Sequence, residues 1–186
     1  MRNVLLPVLL ALAVPAAAHA DAKVLDIALE GTDGRAVTLR ERMAGKPFVL
    51  LTFFSATCPC QTLHDPRIRE LHERFGDRIE ILSIDPEAHS SLARDRDEAK
   101  ARGYPFPILS DPDGAVADAV GARFATYTVI LGADGEVHYR GGWDTDRTRL
   151  SDDASQWVRD AAARLLEGKQ PETRETKAFG CYLRRR

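Results

Sequence analysis

The feature that most constrains this chain is a Cys-Pro-Cys sequence placed between a buried-strand pattern and a helix pattern. Residues 47–54 form a continuous apolar run, which is typical of a central strand covered on both faces. Cys58 follows after a three-residue turn, and the helix pattern continues to Phe75. A thiol at the start of a helix lies beside unpaired backbone N–H groups that favour the thiolate. Because the thiolate is both the nucleophile and the soft-metal ligand, the pattern predicts sulfur chemistry.

The remaining patterns alternate between strands and helices, which predicts a single α/β domain. A Gly-Ala-Asp-Gly turn between two short strand patterns predicts a β-hairpin. The strand candidates besides the apolar run lie at 24–29, 78–85, 127–131 and 136–140. The helix candidates outside the long helix lie at 37–44, 91–102, 111–120 and 151–167. Within the long helix, Asp65-Pro66 has the pattern of an N-cap followed by proline, so we expect a second helical segment to start there.

The first twenty residues have the pattern of a secretory signal peptide. Arg2 precedes an apolar stretch, and Ala18-His-Ala20 is a small-residue cleavage pattern. The apolar stretch is too short to span a bilayer. We therefore expect cleavage before Asp21 and a periplasmic or secreted protein with no membrane segment after cleavage.

The composition of the rest of the chain limits the kind of protein it can be. Without residues 1–20 the chain carries 25 basic and 28 acidic residues, so its net charge is about −3 with histidine neutral. Neither sign dominates, which argues against a nucleic-acid partner. The length is sufficient for one domain with a substantial core. We expect this domain at 21–168, followed by a C-terminal tail at 169–186 that carries Cys181.

All three cysteines, Cys58, Cys60 and Cys181, lie beyond the predicted signal peptide. An oxidising compartment permits disulfides, and an odd number leaves one thiol over in any single-disulfide state. This favours an exchanging set of thiols over a fixed disulfide framework. Cys58 is the candidate nucleophile, and either Cys60 or Cys181 could resolve a mixed disulfide. A Cys-x-Cys bond would be strained and therefore oxidising.

His64 lies four residues after Cys60, on the same face of the predicted helix. Two thiolates and an imidazole form a soft donor set that suits Cu(I), and also zinc. Cys58, Cys60 and His64 are therefore the candidate metal ligands, and Cu(I) binding or delivery is an alternative to redox catalysis. A surface or hydrogen-bonding role is the simpler interpretation of a lone histidine.

Four stretches of the chain resemble the thioredoxin-like redoxin superfamily, which includes peroxiredoxins and exported thiol–disulfide proteins. They are Phe53-Phe-Ser-Ala-Thr-Cys-Pro-Cys60, Tyr104-Pro-Phe-Pro-Ile-Leu-Ser-Asp111, Gly132-Ala-Asp-Gly-Glu-Val-His-Tyr-Arg-Gly141 and Phe179-Gly-Cys181. Together with Asp144-Thr-Asp-Arg147, they are similar to a peroxiredoxin-like, AhpC/TSA-type exported bacterial subgroup. The resemblance implies a thioredoxin-like fold, in which helices flank a central mixed β-sheet.

Three departures from the superfamily pattern bear on the reaction. Gln61 stands where thioredoxins carry their second cysteine, and Cys60 is displaced by one position. The stretch 124–127 has neither the proline that faces a thioredoxin active site nor the facing arginine of peroxiredoxins. Leu51 and Phe53 stand where peroxiredoxins carry a proline. These departures predict slow reaction with peroxide.

The resemblance and the cysteine pattern together predict an exported thiol–disulfide oxidoreductase. Its partner would be a protein or small-molecule disulfide or thiol, and it would require no cofactor beyond that redox partner. A thiol peroxidase, in which Cys58 becomes a sulfenic acid, is the first alternative. A Cu(I)-binding or delivery protein is the second.

Overall fold

Strands and helices follow one another along residues 22–185, the part of the chain that the computed structural model describes. The predicted signal peptide at 1–20 lies outside these residues. The strands are β1 (Ala28–Gly31), β2 (Ala36–Thr38), β3 (Phe48–Phe53), β4 (Ile79–Asp85), β5 (Ile108–Ser110), β6 (Thr128–Gly132) and β7 (Val137–Gly141). The helices are α1 (Leu39–Met43), α2 (Pro59–Phe75), α3 (Leu92–Ala101), α4 (Ala115–Val120) and α5 (Trp157–Leu166), preceded by a 3-10 helix at Ala22–Asp26.

The seven strands form one mixed sheet in the order β2-β1-β5-β4-β3-β6-β7. Strands β3, β4 and β5 run parallel, while the other neighbouring pairs are antiparallel. Helix α2 makes the crossover from β3 to its parallel neighbour β4. The predicted mixed sheet and the predicted hairpin, β6–β7, are therefore confirmed. Among residues 22–185, no helix is both long and apolar enough to cross a bilayer.

Strand β3 lies in the middle of the core because its side chains pack on both faces of the sheet. Val49, Leu50 and Leu51 are each 0% exposed. Val49 and Leu51 belong to one apolar cluster and Leu50 to another, as the alternation of side chains along a strand requires. Both clusters need apolar residues from this strand, which explains a run without polar alternation.

The first elements differ from the predicted ones. The predicted strand at 24–29 is wrong in its first half, which is 3-10 helix, and β1 begins only at Ala28. The predicted helix at 37–44 is wrong in its first part, because β2 extends to Thr38. Thr38 then caps α1, where its hydroxyl accepts the Glu41 N–H at 3.1 Å and the Glu41 carboxylate accepts the Thr38 N–H at 2.7 Å.

Helix α2 runs without a break for 17 residues, so the predicted second start at Asp65-Pro66 is wrong. Pro66 lies inside the helix, where its ring nitrogen cannot donate a backbone hydrogen bond. Asp65 caps no helix. Its carboxylate instead accepts a hydrogen bond from Arg102 Nη1 at 2.9 Å. Tertiary anchoring of the helix thus outweighs the local stop signal.

The C-terminal tail packs on the domain. The Arg140 N–H donates to the Arg174 carbonyl at 2.9 Å, and the Thr176 N–H donates to the Arg140 carbonyl at 3.1 Å. The Tyr139 hydroxyl lies 2.6 Å from Thr176 Oγ1. Gly141 permits this approach, because a Cβ at that position would overlap the Thr176 carbonyl oxygen. The tail therefore follows β7 before it reaches the cysteines.

Replacing Gly141 with alanine should destabilise the protein more than the same change at Gly34. Both glycines have positive φ angles, 137° and 77°, so each substitution strains the backbone. Only at Gly141 does the new Cβ also meet the tail, since Gly34 has no neighbouring atom within 4 Å. We expect Gly34→Ala to lower the unfolding free energy by about 1–2 kcal/mol and Gly141→Ala by roughly 1–3 kcal/mol more. Urea unfolding measures both losses, and equal losses would contradict the tail packing.

Candidate active site

Cys58 is the N-cap residue of α2, as the sequence predicts. Its backbone is extended (φ −85°, ψ 115°), and Pro59 follows as the first helical residue. The Cys58 carbonyl accepts the N–H groups of Gln61 and Thr62 at 3.0 and 3.3 Å, which starts the helical hydrogen bonding. Its side chain makes no capping hydrogen bond. The sulfur therefore lies at the positive end of the helix.

The structure brings the three cysteines together as free thiols. Cys58 is 1% exposed, while Cys60 and Cys181 are half-buried. The Cys181 backbone N–H donates to Cys58 Sγ across an N–S distance of 3.4 Å, although 123 positions separate the two residues in the chain. Cys60 and Cys181 both also interact with Cys58 through their side chains. The tail thus delivers the third thiol to the start of α2.

The electrostatics of this cluster favour a single thiolate. Burial raises the pKa of the Cys181 thiol to about 12, and its hydrogen bond to Cys58 and the Cys58 charge contribute to the rise. Burial, followed by the charge on Cys58, also raises the pKa of Cys60. Two adjacent thiolates would repel each other, so one negative charge suppresses ionisation of the neighbours. Cys60 and Cys181 therefore keep their protons at neutral pH.

His64 does not join the thiols, which corrects the predicted ligand set. Its Nδ1 lies 2.7 Å from the Cys60 carbonyl oxygen, and its Nε2 lies 3.1 Å from Asp144 Oδ1. Both partners are acceptors, so the charged ring donates from both nitrogens and has no lone pair to offer a metal. Among residues 22–185, no group of three or more His, Cys, Asp or Glu side chains is placed to hold a metal ion. Cu(I) binding by the thiols stays a prediction, without His64 as a ligand.

Asp144 ties the loop after β7 to helix α2. Its buried carboxylate accepts hydrogen bonds from His64 and from Arg67, the latter at 2.7 Å. Arg67 also donates to Asp146 at 2.6 Å and to the Ser151 carbonyl at 2.8 Å. Arg67 was not identified from the sequence. Its spacing of three residues from His64, on the same helix face, was the available signal.

A second buried network holds the other side of α2. The Arg102 guanidinium donates to the Asp65 carboxylate, to Thr62 Oγ1 at 3.1 Å and to the Ala56 carbonyl at 3.0 Å. The Tyr104 hydroxyl also donates to Asp65. Burial, followed by the Asp65 charge, raises the pKa of Tyr104, so this hydroxyl keeps its proton. Arg102 therefore links the turn before Cys58 to the helix after it.

Asp85 ends β4 at the same edge of the sheet as the turn before Cys58. It is 2% exposed, and Asp95 beside it is 1% exposed. Burial, followed by the charge on Asp95, raises the pKa of Asp85 to about 8. Negative charge on both buried carboxyl groups at once is therefore disfavoured. No local sequence pattern predicts this pair, because the two residues lie in different elements.

The loop before β6 connects the end of β3 to the tail. The Thr126 N–H donates to the Phe53 carbonyl at 2.7 Å, and the Thr126 hydroxyl donates to the Phe179 carbonyl at 2.8 Å. Its φ angle of 69° is unusual for a residue other than glycine. A proline at this position would have no side-chain hydroxyl for the tail. Thr126 therefore provides one of the contacts that hold the tail beside Cys58.

A mixed sheet with a cysteine at the start of its first crossover helix defines a thioredoxin-like fold. Residues 20–140 match the AhpC/TSA family. The chain belongs to that family.

Known proteins with similar sequences or structures agree with this class. Thiol-disulfide oxidoreductase ResA of Halalkalibacterium halodurans is 29% identical over 124 residues, which cover 64% of this chain and 66% of ResA, just under two thirds of its length. The structure of a hypothetical protein of Sinorhizobium meliloti 1021 is similar with a TM-score of 0.80 and 25% identity, covering 94% of this chain and 96% of that one. Bacterioferritin comigratory protein of Xanthomonas campestris, at 20% identity, shares the fold with a TM-score of 0.54 over 66% of this chain and 83% of its own.

Replacing His64 with glutamine should remove part of the pH dependence of stability. Burial opposes the charge on His64, but the hydrogen bonds to Asp144 and to the Cys60 carbonyl outweigh it and raise the pKa of His64 above 6.5. The charged ring therefore contributes its full stability below pH 6.5 and loses it as the pH rises through the raised pKa. We expect His64→Gln to lower the unfolding free energy by about 1–2 kcal/mol at pH 6, and by less at pH 8.5.

Chemical denaturation between pH 6 and pH 8.5 measures this difference. The exposed His89 offers a matched control, because His89→Gln removes an imidazole outside the Asp144 network. Asp85 titrates in the same range, but its contribution is common to all three proteins and cancels in the comparison. A stability difference between wild type and His64→Gln that stays constant across this range would show that folding does not raise the pKa of His64.

Proposed function

We propose that the chain is an exported thiol–disulfide oxidoreductase in which Cys58 is the nucleophile and Cys181 is the resolving thiol. The observation that carries the proposal is the position of Cys181, whose N–H lies 3.4 Å from Cys58 Sγ at the start of α2. The similarity to a protein named thiol-disulfide oxidoreductase supports the reaction class. The signal-peptide pattern of residues 1–20 supports export.

The reaction consists of two exchanges. The Cys58 thiolate attacks one sulfur of a partner disulfide, forming a Cys58–partner bond while the other partner sulfur leaves as a thiolate and takes a proton from water. Cys181 then gives its proton to water and attacks Cys58 Sγ, which forms a Cys58–Cys181 disulfide. The second partner sulfur leaves as a thiolate and takes a proton from water in its turn. Two electrons pass to the partner, which becomes a dithiol while the chain becomes a disulfide. A reductant of the dithiol class returns the chain to its starting state.

The charge on Cys58 sets the order of these two steps. In the free protein, that charge contributes to the raised pKa of Cys181. Once Cys58 forms a mixed disulfide, its charge is gone and that contribution disappears. Burial, the largest cause of the raised pKa, remains, but removal of the Cys58 charge makes Cys181 easier to deprotonate after the partner is captured.

Cys181 is better placed than Cys60 for the resolving role. Cys60 belongs to the first turn of α2, and a bond between residues two apart would close a strained ring. Cys181 reaches Cys58 from a separate segment, so no short ring forms. The tail can also move toward or away from Cys58 without unfolding the helix.

A thiol peroxidase reaction at Cys58 is the second candidate, because the chain belongs to the AhpC/TSA family. Its first step would convert the thiolate to a sulfenic acid, which Cys181 could then condense to a disulfide. The hydrogen-bond donor at Cys58 Sγ is a peptide N–H. Within residues 22–185, no arginine side chain is hydrogen-bonded to that sulfur. Disulfide exchange is therefore favoured over peroxide reduction.

Serine substitutions at the three cysteines should separate their roles. Cys58→Ser should abolish reduction of a model disulfide, because the nucleophile is lost. Cys181→Ser should still form the mixed disulfide with Cys58 but accumulate it, because nothing resolves it. Cys60→Ser is the matched control and should keep turnover. Mass spectrometry of acid-quenched reactions identifies each species.

Each alternative gives a different outcome of the same experiment. Accumulation in Cys60→Ser instead of Cys181→Ser would assign the resolving role to Cys60. Full turnover in Cys58→Ser would refute the proposal. Rapid and saturable oxidation of Cys58 by hydrogen peroxide, together with slow disulfide exchange, would assign the chain to the peroxidases.

A further inference from the structure

The tail passes beside Cys58 and pairs with the loop before β6 through an isolated antiparallel bridge. Residues 179–183 run antiparallel to residues 123–126, with Tyr182 opposite Phe124. The Leu183 N–H donates to the Arg123 carbonyl at 3.0 Å, and the Ala125 N–H donates to the Cys181 carbonyl at 2.9 Å. These contacts use backbone groups of the tail. Another extended polypeptide could make the same hydrogen bonds, as in strand addition to an exposed edge.

The register of this pairing determines which residue can precede the cysteine. It places the Cys181 N–H against Cys58 Sγ, so a cysteine at this position meets the nucleophile. The preceding residue, Gly180, passes so close to the loop that a Cβ would overlap the Ala125 carbonyl oxygen. That obstacle is backbone, which cannot move aside as a flexible side chain would. The surface therefore admits glycine before the cysteine and disfavours larger residues.

The tail is held at this surface by exposed contacts. Tyr182 is 73% exposed, and its ring lies over Phe124 with a centroid distance of 4.6 Å. Phe179 lies beneath the Arg147 guanidinium at 3.8 Å. Leu183 is the tail side chain that packs against the core, and it is only partly buried. A segment close to the C-terminus with contacts of this kind can detach while the domain stays folded.

We propose that residues 123–126 form the docking surface for an extended polypeptide partner whose reactive cysteine follows a glycine, and that residues 179–183 are a built-in competitor for this surface. The inference rests on the proposed function, because it names the partner class of the same Cys58 site. The partner binds when the tail leaves, and its cysteine takes the place of Cys181 beside Cys58. Return of the tail after the exchange brings back the resolving thiol and displaces the product.

The test measures how fast Cys58 reacts with two activated peptides. The protein is the mature chain, residues 21–186, with Cys60→Ser and Cys181→Ser, so that Cys58 is its single thiol and the tail backbone is kept. Both peptides have the sequence of residues 177–185 and carry thiopyridine on their cysteine, and one has alanine in place of the glycine. We expect the glycine peptide to release thiopyridine about tenfold faster, because the Cβ of alanine meets the Ala125 carbonyl.

Loosening the tail should accelerate the reaction with the glycine peptide. Gly180→Ala in the protein adds a Cβ that meets the Ala125 carbonyl oxygen and weakens binding of the tail. Residues 123–126 are then uncovered for a larger fraction of the time, and the peptide binds them more often. Gly34→Ala is the matched control, because that glycine lies in a turn between β1 and β2 and has no neighbour within 4 Å. It should leave the rate unchanged. Equal rates for the two peptides, or no acceleration by Gly180→Ala, would overturn the docking surface.

Hydrogen exchange tests the competition without any change at Gly180. A peptide with serine in place of cysteine, added to the unaltered reduced chain, should displace the tail. The Leu183 amide would then exchange faster, whereas the Ala125 amide would stay protected by the peptide. Unchanged exchange at Leu183 with saturating peptide would overturn the inference. The rate at which Cys58 reacts with dithiodipyridine separates the docking surface from the proposed function. A fast reaction supports disulfide exchange whatever the peptides do. No reaction refutes both proposals.

Discussion

The position of the site depends on the hydrogen bonds that the buried carboxylate of Asp144 accepts. It accepts hydrogen bonds from His64 and Arg67, two side chains of α2, and it stands in the loop after β7. Through His64 it also reaches the Cys60 carbonyl. Removing one partner from such a network leaves the others buried without compensation, so its members act together. The first turns of α2, which carry Cys58 and Cys60, are thereby held against the loop after β7.

Arg102 completes this anchoring from the opposite side of the helix. Its contacts with Asp65 and with the Ala56 carbonyl hold the turn that leads into Cys58. A nucleophile at a helix start needs a stable position relative to the strand that precedes it, because the helix field acts within the first turn. Pro66 interrupts the backbone hydrogen bonding of the same helix, and the two charged networks compensate for that interruption.

The thiol cluster depends on the C-terminal tail as well as on the start of α2. Cys181 reaches Cys58 because Gly141 and Gly180 allow the tail to pass close to β7 and to the Ala125 carbonyl. Burial raises the pKa of Cys181 and of Cys60, and the neighbouring Cys58 sulfur adds to both shifts. The proton affinities of these two thiols therefore depend on the state of Cys58, which the tail and the start of α2 bring beside them.

The sequence by itself determined the elements whose signals are local. The unbroken apolar run predicted β3, the Gly-Ala-Asp-Gly turn predicted the hairpin, and Cys58 was placed correctly at the start of α2. Only the tertiary structure decided the role of His64, because its spacing from Cys60 is the same whether the ring faces a thiol or Asp144. The same holds for Asp65, whose local pattern is a helix cap and whose actual partner is Arg102. Side-chain direction and the path of the tail depend on contacts between residues far apart in the chain, and no local pattern encodes them.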